Sequence, residues 1–162
     1  MPIFKTKDDN FFKKWSPEMA YVLGFFAADG YITSPRQGGR FWSIQITDEE
    51  LLHSIQQAVG SEHKISCRRG VGNEKDLFRL QIGSVEMVCD LNSFGFGERN
   101  TNNLAVPHVP QKDLPDFVRG YFDGDGNVWT GLLHTSRKTR CLGIMTMFTS
   151  CSHLFLKQLY EK

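Results

Sequence analysis

The chain has 162 residues, 40% hydrophobic and 23% charged, which is ordinary for a globular protein and long enough for a sizeable core. No apolar run approaches the ~18 residues of a membrane span, and Lys5, Lys7, Asp8 and Asp9 interrupt any signal-peptide pattern, so no membrane partner is expected and the location is read as cytoplasmic, or an organellar matrix if the gene is organellar. A net charge of +1 argues weakly against nucleic acid, yet the basic residues gather at Lys5–Lys7, Lys13–Lys14, Arg36–Arg40, Arg68–Arg69 and 137–140, which leaves room for one basic face.

The four cysteines form no CxxC pair and show no regular spacing to the five histidines. Zinc is therefore not expected, and the thiols are read as free and mostly buried.

Residues 1–15 read as a polar leader that docks through Phe4, Phe11, Phe12 and Trp15. Ser16 and Pro17 then mark a helix start, and Gly30 its stop. Tyr31–Thr33 begins a strand, 34–39 is a Gly- and Pro-containing turn, and Arg40–Thr47 returns as the partner strand. There Trp42, Ile44 and Ile46 alternate with Ser43, Gln45 and Thr47, so one face is apolar and the other hydrogen-bonding. Thr47 or Asp48 caps a helix over Glu49–Val59, which Gly60 ends.

A second hairpin follows, Lys64–Arg69 and Asp76–Ile82, with Phe78, Leu80 and Ile82 opposed to Arg79 and Gln81. Ser84 caps a helix to about Ser93, closed near Gly95. After a linker over Glu98–Lys112 the pattern restarts. Asp113 and Pro115 open a helix that Gly126 closes; Val128–Trp129 is a strand, Thr130–Arg140 a basic loop, Cys141–Phe148 a strand and Ser150–Lys162 a helix.

The restart is a duplication. Glu18–Gly30 (EMAYVLGFFAADG) aligns without gaps on Leu114–Gly126 (LPDFVRGYFDGDG), matching Gly24 to Gly120, Ala28 to Gly124, Asp29 to Asp125 and Gly30 to Gly126. Small residues four apart let two helix backbones approach along one face, so the two helices are expected to pack on each other. Asp29 and Asp125 then stand at adjacent helix C-termini, where the dipole disfavours a carboxylate. A hard divalent cation such as Mg²⁺ between them would offset the repulsion.

Val22–Gly30 (VLGFFAADG) and Val118–Gly126 (VRGYFDGDG) resemble the two LAGLIDADG motifs of the homing endonucleases. The resemblance implies an α+β fold of tandem αββαββα repeats, with the motif helices at a pseudo-twofold axis and saddle-like antiparallel sheets. The repeats would be 1–110, with leader and linker, and 111–162. In the second, Ser150–Lys162 corresponds to Asp48–Gly60, so the second hairpin and last helix have no counterpart, which puts the activity of this chain by itself in question; a complete chain is expected to be a monomer.

The implied function is an intron-encoded, site-specific endonuclease, a hydrolase acting on double-stranded DNA with Mg²⁺ or Mn²⁺, and with Ca²⁺ as a non-catalytic substitute. Asp29 and Asp125 would be the catalytic metal ligands, and Gln81 the solvent-ordering residue, with Arg79 and Lys64 weaker candidates for that role and Asp48 peripheral. The contribution of position 28, Ala28, is left open, and Asp123, which aligns with Ala27, is not expected to be an essential ligand. The polar strand faces, with Ser43, Gln45, Thr47, Lys64, Ser66, Arg68, Arg79 and Gln81, carry the side-chain types that read base edges. The same scaffold is similar to that of intron maturases, which bind structured RNA, and of non-cleaving DNA-binding regulators; an intein origin is not expected.

Overall fold

The computed structural model describes residues 5–35, 38–98, 101–134, 136 and 138–162. Phe4, Arg36 and Arg137, named above as docking or basic residues, lie outside these. The Ser16 hydroxyl accepts the Met19 N–H at 3.1 Å and starts α1 (Pro17–Asp29). Its apolar residues run round the whole helix, because α1 is sandwiched between a sheet and the second motif helix, α4 (Leu114–Asp125).

Four strands, β1 (Gly30–Thr33), β2 (Phe41–Ile46), β3 (Ser66–Arg68) and β4 (Leu77–Gly83), form an antiparallel sheet in the order β1-β2-β4-β3. One face, carrying Ile32, Trp42, Ile44, Leu80 and Ile82, is buried against α1, α2 (Glu49–Ala58) and α3 (Val85–Ser93). The Trp42 ring meets Phe12 and Phe26 edge-on at 5.6 and 5.9 Å, so the leader does dock through its aromatics, from a short 3-10 helix at Phe11–Lys13. Asp48, not Thr47, caps α2 through the Leu51 N–H, and Ser84 caps α3 through Met87.

The second half repeats the start of this plan with β5 (Gly126–Leu133), β6 (Cys141–Phe148) and α5 (His153–Tyr160), β5 and β6 pairing antiparallel as a two-stranded sheet. Phe148 meets Phe122 at 5.1 Å, as Trp42 meets Phe26 in the first half.

The structure corrects several expectations. Thr130–Leu133 belongs to β5 rather than to a loop, because Thr130 to Leu133 pair residue by residue with Ile144 to Cys141. Asp113 precedes α4 but makes no capping bond; it is buried, and its Oδ2, 3.9 Å from the Lys112 ammonium, accepts no hydrogen bond. All four cysteines are free but exposed rather than buried. Gly30 and Gly126 do stop their helices, in extended backbone where a side chain would collide with the rings of Phe26 and Phe122.

Candidate active site

Glycine sets how closely α1 and α4 cross. A Cβ built on Gly24 would stand 2.0 Å from the Phe117 carbonyl oxygen, and one on Gly120 2.0 Å from that of Tyr21. Backbone therefore touches backbone at the two pseudo-equivalent points, as the duplicated spacing predicts. One turn on, a Cβ on Gly124 would press on the Ala28 methyl and come within 2.9 Å of Asp29 Oδ2. Position 28 thus acts as packing, and the bare backbone at Gly124 leaves room for the Asp29 carboxylate as well.

Asp29 and Asp125 are the last residues of α1 and α4 and are both half-buried. Burial holds the Asp29 carboxyl above its ordinary value, and the facing Asp125 charge raises it further. The Asp125 carboxyl is raised by burial alone. Repulsion within such a pair acts on both members, so the direction is upward for each, with burial the larger cause. Two helix C-termini add their partial negative charge to two carboxylates in a half-desolvated setting, a place suited to a small cation.

Beside Asp29 opens a cleft of about 390 Å³, lined among others by Gln45, Thr47, Asp48, Asp123 and Gly124. No group of three or more His, Cys, Asp or Glu side chains close enough to hold an ion occurs among the described residues. The donors present are paired hard carboxylates, which fit an ion such as Mg²⁺ that completes its shell with water and substrate phosphate.

Gln81 does not line this cleft; it lies half-buried in β4 opposite Ser43, with Gln45 and Arg79 forming the next rung. Arg79 and Arg68 are exposed and line a groove of about 330 Å³ with Gln45 and Ser66, and Lys64 is exposed just before β3. No ion pair holds Arg68 or Arg79 among the described residues. Ser43, counted among the polar readers, is 0% exposed with its hydroxyl unpartnered, so it reads nothing.

Sequence reasoning missed one pairing. Tyr21 donates its hydroxyl to Asp123 Oδ2 at 2.8 Å, and the Arg119 guanidinium sits 4.9 Å from the Tyr21 ring centre. Burial first, then the Asp123 acceptor, drives the Tyr21 hydroxyl well above the ordinary tyrosine range. Asp123 is thereby fixed on the rim of the cleft that holds Asp29. The available signal was a double mismatch in the duplication, Tyr21 against Phe117 and Ala27 against Asp123.

Comparison with known proteins matches this geometry. Residues 16–93 match the family model of the LAGLIDADG-like domain. This stretch is a LAGLIDADG-like domain. Over 114 residues the chain is 25% identical to a subunit of the A-type ATP synthase of Methanopyrus kandleri, and over 117 residues it is 29% identical to DNA-directed RNA polymerase subunit Rpo1C of Methanocaldococcus jannaschii. The matches cover 70% and 68% of this chain but only 10% and 13% of those proteins, so the chain spans a small part of the length of these relatives. Among solved structures it is similar to the LAGLIDADG homing endonuclease I-SmaMI bound to cleaved DNA, with a TM-score of 0.56 at 15% identity, over 91% of this chain and 71% of that one. The fold is that of the LAGLIDADG endonucleases, and the paired aspartates are the C-terminal residues of its two motif helices.

Proposed function

We propose that this chain is a sequence-reading DNA endonuclease that hydrolyses phosphodiesters with divalent metal, with Asp29 and Asp125 as the metal ligands. The observation that carries the reading is the placement of the two carboxylates: side by side, half-buried, at the ends of two crossing helices where each is electrostatically disfavoured without a cation. When bound, a divalent ion would supply a deprotonated water at neutral pH and neutralise charge on the leaving oxygen.

The chain's own residues supply the rest. The Gly24/Gly120 crossing sets how closely the two carboxylate-bearing helix ends approach, and Gly124 leaves room for the Asp29 carboxylate beside the opposite helix. Gln81, on the outward sheet face and outside this cleft, is proposed to order solvent once a duplex lies across the sheet, with Arg79 and Lys64 the weaker candidates for that role. The polar face of β1–β4 presents Gln45, Ser66, Arg68 and Arg79, side chains that suit adenine and guanine edges in a major groove. The I-SmaMI complex, a protein of this fold seen on DNA, supports the same partner here.

The test is cleavage with Mg²⁺ of plasmid carrying a duplex selected for binding, by the chain and by Asp29→Asn and Asp125→Asn. Cutting that both variants lose while retaining binding is the expected result. Binding without cutting would move the reading to a maturase-like or regulatory role, with structured RNA as the next ligand to try; full cutting by both variants would sink the ligand assignment.

A further inference from the structure

The two halves of the molecule meet at a symmetric axis, yet their outward sheet faces carry opposite chemistry. Strand register makes the comparison direct. Gly30 pairs with Ile44 and Gly126 with Phe148, each on the side that packs on its motif helix, so Tyr31, Gln45 and Arg79 in the first half correspond in facing to Asn127, Trp129, Met145 and Met147 in the second.

On the first face Gln45, Ser66, Arg68, Arg79 and Gln81 stand among Tyr31, Phe41 and Leu77. On the second, Trp129 pairs with Met145 and Asn127 with Met147, followed by Gly131 opposite Gly143 and Leu133 opposite Cys141. Trp129, Met145 and Met147 are 37%, 45% and 46% exposed. The glycines shape this surface: a Cβ at Gly131 would collide with the Trp129 indole, and one at Gly143 with the Leu133 side chain. Both side chains therefore lie down across the sheet, giving a flat apolar plate. Its polar groups are Asn127 at the axis end, the indole N–H and the Cys141 thiol. At the hairpin tip Lys138 and Arg140 are exposed.

We infer that sequence discrimination by this chain is one-sided: the first sheet reads one half of a duplex target by hydrogen bonds, whereas β5 and β6 hold the other half through phosphates and apolar contact, preferring thymine methyls and otherwise tolerant. This rests on the proposed DNA reading and deepens it. Arginine and glutamine side chains recognise donor and acceptor patterns; a surface of Trp, Met and Leu cannot, and the one base feature in the major groove that it favours is the C5-methyl of thymine. Lys138 and Arg140 are placed to neutralise phosphates, which positions the duplex without adding sequence information. The glycine crossing of α1 and α4 carries one sheet directly after each motif helix, with corresponding faces outward, and this equivalence is what assigns the plate to the same duplex.

The experiment is selection of bound duplexes from a random-sequence DNA library by the 162-residue chain, followed by sequencing. The expected pattern is one half with strong preferences that include guanine or adenine, and an adjoining half with at most a thymine preference of about fourfold per position. Arg79→Ala should weaken binding to a selected duplex about tenfold and relax the specified half alone. Comparable preferences including guanine in both halves would overturn the inference, as would an Arg79→Ala selection indistinguishable from the parent. Retention of duplex with no pattern at all would also overturn it while leaving DNA binding intact; retention of no duplex would remove the DNA reading itself.

Discussion

Gly120→Ala is the most direct test of the frame on which the site is built. A Cβ at this position would meet the Tyr21 carbonyl oxygen at 2.0 Å and the Phe25 nitrogen at 2.9 Å. An ordinary carbon–oxygen approach is about 3.4 Å, so the helices would have to part by more than an ångström. The obstructing atoms are backbone, and no rotamer change relieves them. Parting α1 from α4 also loosens Phe117 and Tyr121, which are 0% and 1% exposed against α1. Overpacking of this kind costs about 1–3 kcal/mol, and with backbone as the obstacle the expectation is the upper end, about 3 kcal/mol. Urea unfolding followed by circular dichroism measures it, with Gly97→Ala as the control: a Cβ there meets only the Asn92 side chain at 4.0 Å. Gly24→Ala should cost as much. The double variant should cost less than the sum, since the opening forced by one methyl accommodates the other. A Gly120→Ala variant within about 0.5 kcal/mol of the parent would refute the close crossing.

Three further outcomes follow from the same geometry. Because both motif aspartates have carboxyls raised above the unfolded value of 3.8, the folded state binds protons more tightly than the unfolded one. Metal-free stability should therefore fall as pH rises from about 4 towards 7, and Asp29→Asn or Asp125→Asn should flatten that slope in thermal melts with chelator; a slope unchanged in both variants would count against the raised values. Replacing both Arg68 and Arg79 by Ala should weaken duplex binding and, to the extent that either touches phosphate, flatten the salt dependence by about one unit of log–log slope for each phosphate left unneutralised, measured by fluorescence anisotropy; parental affinity at all salt concentrations would remove the groove from the interface. Tyr21→Phe should cost at most about 1 kcal/mol, since the bond to Asp123 is solvent-exposed, and should abolish one high-pH tyrosine ionisation in ultraviolet titration. Persistence of that ionisation would assign it to another tyrosine, such as Tyr121, whose hydroxyl burial also raises; the same ionisation unmoved in Asp123→Asn would show that Asp123 does not hold the Tyr21 hydroxyl.

Much of the fold was legible because its signals are local and periodic. Ser16, Asp48 and Ser84 announce their helices through a side chain bonded three residues on, and the alternation of Trp42, Ile44 and Ile46 shows which way β2 faces. What stayed hidden depends on partners distant in the chain. Ser43 alternates correctly onto the polar face, but periodicity gives direction rather than depth, and Tyr31 and Gln81 flank it on the neighbouring strands. β4 lies between β2 and β3, an order set by how the second hairpin folds back and not by any turn. Thr130–Leu133 looked like loop because Gly131 weakens a strand signal; its pairing with β6 and the flattened Trp129 explain the glycine instead. The site residues were found because Asp29 and Asp125 occur twice in register. The Tyr21–Asp123 bond was not, since it exists where the two copies differ.

The distribution of likeness and difference has a physical logic. On the axis, any change in one helix alters the separation from the other, so Gly24, Gly120, Ala28 and Gly124 answer to a shared constraint, and the carboxylates beyond them inherit the same geometry from both sides. Side chains that point off the backbone crossing are free of that constraint. Tyr21 and Asp123 can bond where Phe117 and Ala27 cannot, and one sheet can carry arginine and glutamine where the other carries tryptophan and methionine, without moving either motif aspartate. A duplicated frame therefore keeps two equivalent carboxylates at its centre while its outer faces diverge. Changes on the β5–β6 plate should accordingly alter which duplexes are held far more than the Asp29–Asp125 arrangement. Met145→Arg tests this separation: it should add a guanine preference to the tolerant half of the selected duplex while the pH dependence of metal-free stability stays that of the parent. A variant whose pH profile shifts with its selectivity would show that the outer face and the axis are mechanically coupled, contrary to what the glycine crossing implies.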